Sequence, residues 1–165
     1  MLQEEWLEIE EFPGYYISNY GKVRSDISDR TLKWSPIQYG IPTVGLMKDG
    51  RQHRRSVPLL VARTFIPQPA EHYDTPIHLD GDRSNPRVDN LMWRPRWFAV
   101  CFHKERIKDP YPRWNRDIQI IDTGEVFENP RQIAEKYGVL ETDVHKSIMN
   151  GTSVFPQGYK FQFYE

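Results

Sequence analysis

The stretch Pro76-Ile77-His78-Leu79-Asp80-Gly81-Asp82-Arg83-Ser84-Asn85-Pro86-Arg87-Val88-Asp89-Asn90-Leu91-Met92-Trp93 decides how this chain is read. Its ends are two short β-prone runs, Ile77 to Leu79 and Leu91 to Trp93, and between them lies a loop dense in Asp, Asn, Gly and Pro. A helix from about Arg96 to Arg106 follows. A hairpin that leads into a helix is therefore the expected centre of the fold.

Upstream, Asp49-Gly50 between Thr43-Val44-Gly45-Leu46-Met47 and Arg51-Gln52-His53-Arg54-Arg55 predicts a second hairpin. Ser56 and Pro58 then suit the start of a short apolar helix that ends before Pro67, with Leu59, Leu60, Ala62, Arg63 and Phe65 packing on that hairpin. The first fifty residues are rich in aromatics and turn residues, as in FPGYY and SNYG, and predict short strands. Downstream, RIKDPYPRWNR has the prolines and alternating charge of a linker. Beyond it a hairpin around Thr123-Gly124 precedes two short helices. Asn129 caps the first, with Pro130 at its first position and Gly138 at its end; Thr142 caps the second, which Gly151 ends. Two helices around the tight turn Gly138-Val139-Leu140-Glu141 predict a helix-turn-helix. Its small core is expected from Ile133, Ala134, Tyr137, Val144 and Ile148.

Composition narrows the classes. A single cysteine, Cys101, excludes an intrachain disulfide framework and a Cys-rich zinc site. No stretch has the length of a signal peptide core or a membrane span, so a cytoplasmic protein with no membrane partner is expected. The formal net charge of -1 argues against a nucleic-acid partner, but its distribution argues for one. Glu4, Glu5, Glu8, Glu10 and Glu11 crowd the first twelve residues, whereas Lys22 to Arg63 holds nine Lys/Arg against three Asp/Glu, and Arg83 to Arg116 repeats that count. The pattern predicts a phosphate-facing side and an acidic back.

Three groups of residues carry a resemblance. Glu5-Trp6 with Pro13-Gly14-Tyr15-Tyr16-Ile17-Ser18-Asn19-Tyr20-Gly21-Lys22-Val23-Arg24-Ser25 resembles the modular motif that precedes HNH homing endonucleases of phages and introns. Leu60-Val61-Ala62, Phe65-Ile66-Pro67, and the stretch from Ile77 to Trp93 resemble the HNH nuclease core. Asp122-Thr123-Gly124-Glu125-Val126-Phe127, Ile133-Ala134, Asn150-Gly151 and Gly158-Tyr159 resemble the intron-nuclease repeat that forms a DNA-binding helix-turn-helix.

The resemblance implies an α+β protein with a ββα-metal (His-Me finger) core. Residues 1–50 would form a β-rich DNA-binding module, 51–107 the HNH-like core, 108–116 a linker, and 117–165 the helix-turn-helix. It implies that His78 is a general base and that Asn90 orients its imidazole, while Asp80 shapes the turn rather than binding metal. The metal ligands depart from the family: Ile77 stands where Asn or Asp precedes the base, Ala99 where a second donor is expected, and Pro58 where a histidine is frequent. His103 remains a single, weak ligand candidate, and one imidazole is a poor magnesium site. Magnesium or another divalent ion is thus expected only if cleavage survives, and otherwise no cofactor.

DNA contacts are expected from Lys22, Arg24, Arg51, Arg54, Arg55 and Arg87, and, on the second C-terminal helix, from Thr142, Asp143, His145, Lys146 and Asn150. Most of the five tryptophans are expected in the core, with Trp97 and Trp114 as candidates for base stacking. The leading expectation is a sequence-specific double-stranded DNA binder derived from an HNH homing endonuclease, with cleavage lost or weakened, serving as a phage regulator. It would act as a monomer on the nucleoid of a bacterial host. The alternatives are an active magnesium-dependent nuclease with a metal site rebuilt from His103, Asp80 or Asp82, and a scaffold that binds a host or phage protein.

Overall fold

In the computed structural model, which describes residues 3–36, 40–108, 114 and 116–165, the chain forms two compact units, residues 1–96 and 97–165, each mixing strands and helices in an α+β arrangement.

The first unit opens with an antiparallel meander, β1 (Trp6–Glu8), β2 (Tyr15–Ser18), β3 (Val23–Ser25) and β4 (Arg30–Leu32), in that spatial order. Side chains alternate across it, so Tyr15, Ile17, Val23 and Ser25 are buried while Arg24 faces solvent. Gly21 follows β2 at φ 84°, and a Cβ there would lie 2.5 Å from Pro86 Cγ. Glycine is what lets this turn approach the loop of the 76–93 hairpin. Asn19, 5% exposed, locks the same turn by donating to Gln3 O at 2.8 Å and accepting from Glu5 N at 3.1 Å.

A second sheet holds β5 (Ser35–Pro36), β6 (Pro42–Lys48) and β7 (Arg51–Ser56). Asp49 and Gly50 take φ of 52° and 72°, the left-handed pair that a tight two-residue hairpin turn requires. The module boundary expected at residue 50 falls inside this hairpin, and the two segments it would separate are hydrogen-bonded partners. The helix α1 (Val57–Phe65) has Pro58 in its first turn, as expected, but Ser56 makes no side-chain capping bond. Val57, Leu60, Val61 and Ala62 join Ile9, Phe12, Ile17, Val23, Val44, Leu46, Leu91 and Trp93 in one core. Arg63, expected to pack, instead points outward to Glu11 at 3.4 Å, because a guanidinium in that core would lack a counter-ion. Then β8 (Thr75–His78) pairs with β9 (Leu91–Arg94), placing His78 opposite Leu91.

Next comes α2 (Arg96–Ile107), which lies in the second unit from Trp97 onward. It is followed by β10 (Ile118–Ile120), β11 (Val126–Phe127), α3 (Pro130–Tyr137), α4 (Glu141–Asn150) and β12 (Phe161–Phe163). The strands form a sheet ordered β11-β10-β12, and β12 was not foreseen from sequence. Asn129 caps α3 by accepting from Gln132 N at 3.0 Å, and Gly138 ends it at φ 61°. Thr142 does not cap α4: Leu140 occupies that position and offers no side-chain cap. Ile118, Ile120, Ile133, Val139, Val144, Val154 and Phe161 form the core. Phe98 stacks on Phe102 at 6.3 Å and meets Phe155 at 5.5 Å, which fastens α2 into this unit. The helix assigned from sequence to the 51–107 core thus packs, from Trp97 onward, with the C-terminal elements. Of the expected linker, residues 109–113 and 115 lie outside the described residues.

Candidate functional site

The loop between β8 and β9 is built by short polar side chains that bind its own backbone. Asp80 Oδ1 accepts from Asp82 N at 2.8 Å, and Asp80 Oδ2 from Asn85 Nδ2 at 2.7 Å. Asp82 Oδ1 accepts from the Ser84 amide and hydroxyl at 2.8 and 2.7 Å, and these bonds hold the Asp82 carboxyl below its ordinary range. At the centre lies Asn90, 9% exposed. Its Oδ1 accepts from Asp80 N at 3.0 Å, and its Nδ2 donates to Asp80 Oδ1 at 2.9 Å and to Asn85 O at 3.0 Å. The amide closes the loop. The resemblance implied that it orients His78; its side-chain bonds run to Asp80 and Asn85, ten and five residues back along the loop.

His78 ends β8 at 8% exposure, with Nε2 shielded from solvent. The side chain before it, Ile77, is 3% exposed and part of the interior. Both carboxylates that a rebuilt metal site would draw on, Asp80 and Asp82, accept hydrogen bonds within the loop. Among the described residues, no group of three or more His, Cys, Asp or Glu is arranged to hold a metal ion. Asp80 and Asp82 are the oxygen donors this loop could offer a magnesium ion, fewer than its full shell, the rest of which would come from water and phosphate.

A second feature is cationic. At the edge of β4 a groove of about 430 Å³ is lined by Arg30, Thr31, Lys33, Gly45, Gln52 and Arg54. Gly45 lies opposite Arg54 in the β6–β7 register and is covered by the Gln52 side chain, since a Cβ there would meet Gln52 Nε2 at 2.4 Å. Arg30, Lys33 and Arg54 form no ion pair among the described residues.

The other cations of this unit are largely compensated. Arg55 lies 2.6 Å from Glu11, Lys22 3.2 Å from Glu4, and Arg87 2.8 Å from Asp89 while covering the Tyr20 ring at 4.7 Å. Arg24 lies over Tyr16 at 4.9 Å and Trp6 at 5.2 Å, 3.5 Å from Asp26. The acidic N-terminal segment is thus no separate back: two of its carboxylates neutralise members of the basic stretch.

Three comparisons bear on this arrangement. Residues 4–46 match the NUMOD4 motif. The chain is 36% identical over 93 residues to DNA endonuclease I-HmuI of Bacillus phage SP01, covering 54% of this chain and 51% of that protein. It is also 36% identical over 89 residues to an uncharacterized HNH endonuclease of Acanthamoeba polyphaga mimivirus, covering 54% of this chain and 26% of that protein. The fold aligns with the structure titled "DNA binding and cleavage by the HNH homing endonuclease I-HmuI" at a TM-score of 0.53 and 24% identity, over 97% of this chain and 98% of that one. Over these spans the chain is similar to HNH homing endonucleases.

The chain spans about half the length or less of the curated relatives it matches. The structure places its expected site residues unevenly. His78 and Asn90 share the β8–β9 hairpin of the first unit, whereas Ala99 and His103 lie on α2 in the second. On α4, the half-buried Thr142 donates its hydroxyl to Glu105. Asp143 pairs with Lys146 at 3.0 Å, His145 meets the Trp114 ring at 5.0 Å, and Asn150 is exposed. Trp97 is 60% exposed, unlike the buried Trp93.

Arg51, Arg54 and Arg55 were expected to act together, but the two-residue period of β7 separates them. Arg54 faces the groove, while Arg55 turns toward Glu11 and covers the Phe12 ring at 5.0 Å. Arg30, Lys33 and Gln52 were missed from sequence. The signal was present in part, since strand parity alone puts Gln52 and Arg54 on one face.

Proposed function

We propose that this protein binds double-stranded DNA through the Arg30–Lys33–Arg54 groove and the exposed face of α4, and that it is a nuclease-derived DNA-binding protein in which cleavage is lost or strongly weakened. The observation that carries the reading is the groove itself: three cations with no carboxylate partner among the described residues, in a chain whose net charge is -1. Leaving such charges uncompensated in a concave surface favours a polyanion, because binding releases condensed counterions from each neutralised phosphate.

The weakened-cleavage part rests on the hairpin. Hydrolysis of a phosphodiester needs charge neutralisation at the phosphate as well as a base; Ile77 offers no donor atom, and both Asp80 carboxylate oxygens are engaged in the loop. A protein that grips DNA without cutting it suits a regulatory role in a phage. The test incubates the full chain with phage and host DNA in magnesium or manganese and maps binding and strand breaks together. Binding without breaks supports the reading; breaks abolished by His78→Ala overturn the loss of cleavage, and no binding overturns the whole.

A further inference from the structure

The N-terminus of α4 carries free backbone donors and a cap position, Leu140, with no side-chain acceptor. The acceptor comes from another helix. Glu105 of α2 accepts from Glu141 N at 2.8 Å through one carboxylate oxygen and from the Thr142 hydroxyl through the other. A carboxylate there also opposes the positive end of the α4 dipole.

The reverse contact is made as well. Arg131 of α3 donates through Nη2 to the Lys108 and Glu105 carbonyls at the end of α2, at 3.2 and 3.4 Å, and through Nε to Glu141 at 2.8 Å. Arg106, its side chain 4% exposed, reaches Glu135 at 2.8 Å and Glu141 at 3.4 Å, and the Glu141 side chain is 3% exposed. Three helices are thus joined at one point: the end of α2 is capped by α3, and the start of α4 is capped by α2.

We propose that Glu105 is a positioning residue for α4, acting from α2 to fix the first turn of the helix that reads DNA, so that recognition requires α2 in place. This rests on the assignment of α4 as a DNA-reading helix. Buried charge at a helix terminus suits such a role better than stability alone, since a buried pair set against apolar packing adds little net stability but penalises misplacement strongly.

The experiment compares wild type, Glu105→Ala and Glu105→Gln as full chains, by amide hydrogen exchange and by affinity for a selected specific duplex and for random duplex. In Glu105→Ala the amides of Glu141, Thr142 and Asp143 should exchange about tenfold faster, while those of β10 keep their wild-type rates and show that the unit is folded. Specific affinity should fall about tenfold and random-duplex affinity should stay within about twofold. Glu105→Gln keeps one acceptor oxygen and should recover part of both losses. Unchanged exchange at Glu141 in both variants overturns the positioning role. Faster exchange with specific affinity intact leaves the cap but overturns the assignment of α4 as the reading helix.

Discussion

Arg54 and Arg55 are chain neighbours that serve opposite sides of β7: one lines an uncompensated cationic groove, and the other lies 2.6 Å from the Glu11 carboxylate. Removing each should therefore have different consequences. Arg54→Ala should weaken binding to all DNA sequences and lower the slope of log affinity against log salt by about one unit, the share of one phosphate contact. Arg55→Ala should leave that slope within about half a unit of wild type. Salt titrations of duplex binding decide it, and equal slopes for the two variants would remove the groove from the interface.

Arg55 has its effect on acid stability. Its hydrogen bond holds Glu11 below the ordinary carboxylate value of 4.5, and the carboxyl groups of Asp82, Asp89 and Glu125 are likewise lowered by their own donors. A depressed carboxylate pKa stabilises the fold above the unfolded value, and the contribution is lost as pH falls through the folded value. Stability should thus be level near neutrality and decline below about pH 4.5. Urea midpoints measured from pH 7 to pH 3 should show a shallower decline for Glu11→Gln, with a lower plateau. These groups are largely exposed and each effect is small.

His78 supports a separate expectation. Because it is 8% exposed and lies at the end of a hairpin rather than in the cationic groove, His78→Ala should leave duplex affinity within about twofold. Wild type should show no strand breaks under the same conditions with magnesium, since loss of charge stabilisation worth several kcal/mol lowers a rate by orders of magnitude. Gel assays of binding and nicking on one substrate test both points together.

The clasp of the hairpin loop should be costly to open. Asn90→Ala removes one acceptor and two donor contacts and leaves Asp80 N and Asn85 O to find new partners in a part-buried site. The expected loss is about 2 kcal/mol, from unsatisfied buried groups at about 1–3 kcal/mol each with partial relief by water. Chemical denaturation measures it. A change below about 0.5 kcal/mol would mean that the loop holds its shape without the amide.

Gly21→Ala probes the junction between the SNYG turn and that loop. At φ 84°, with Pro86 Cγ 2.5 Å from the added methyl, both backbone and packing oppose the side chain. A loss of about 2–3 kcal/mol is expected, from strain of about 1–3 kcal/mol at a left-handed residue together with a displaced proline. A matching loss in Pro86→Ala/Gly21→Ala would assign the cost to φ; recovery in the double variant would assign it to the contact.

The sequence by itself determined what is local. Asp49-Gly50 set a tight turn because few other pairs tolerate two left-handed residues; Asn129 and Gly138 set the ends of α3 through bonds spanning three or four residues; and the polar loop from Leu79 to Asn90 closed on itself through side chains made for short reach. Strand parity also separated Arg54 from Arg55 and was legible, though a reading that grouped cations by proximity passed over it. Tertiary structure decided which distant groups meet. The Arg30–Lys33–Arg54 groove joins strands that follow different turns, Glu11 reaches Arg55 across 44 positions, and Glu105 reaches Thr142 across 37. The physical reason is that a helix terminus or an arginine accepts any partner of suitable charge and geometry, so local preference leaves the choice open. Packing around Phe98, Phe102 and Phe155 settles it for α2 by fixing which helix ends lie beside it.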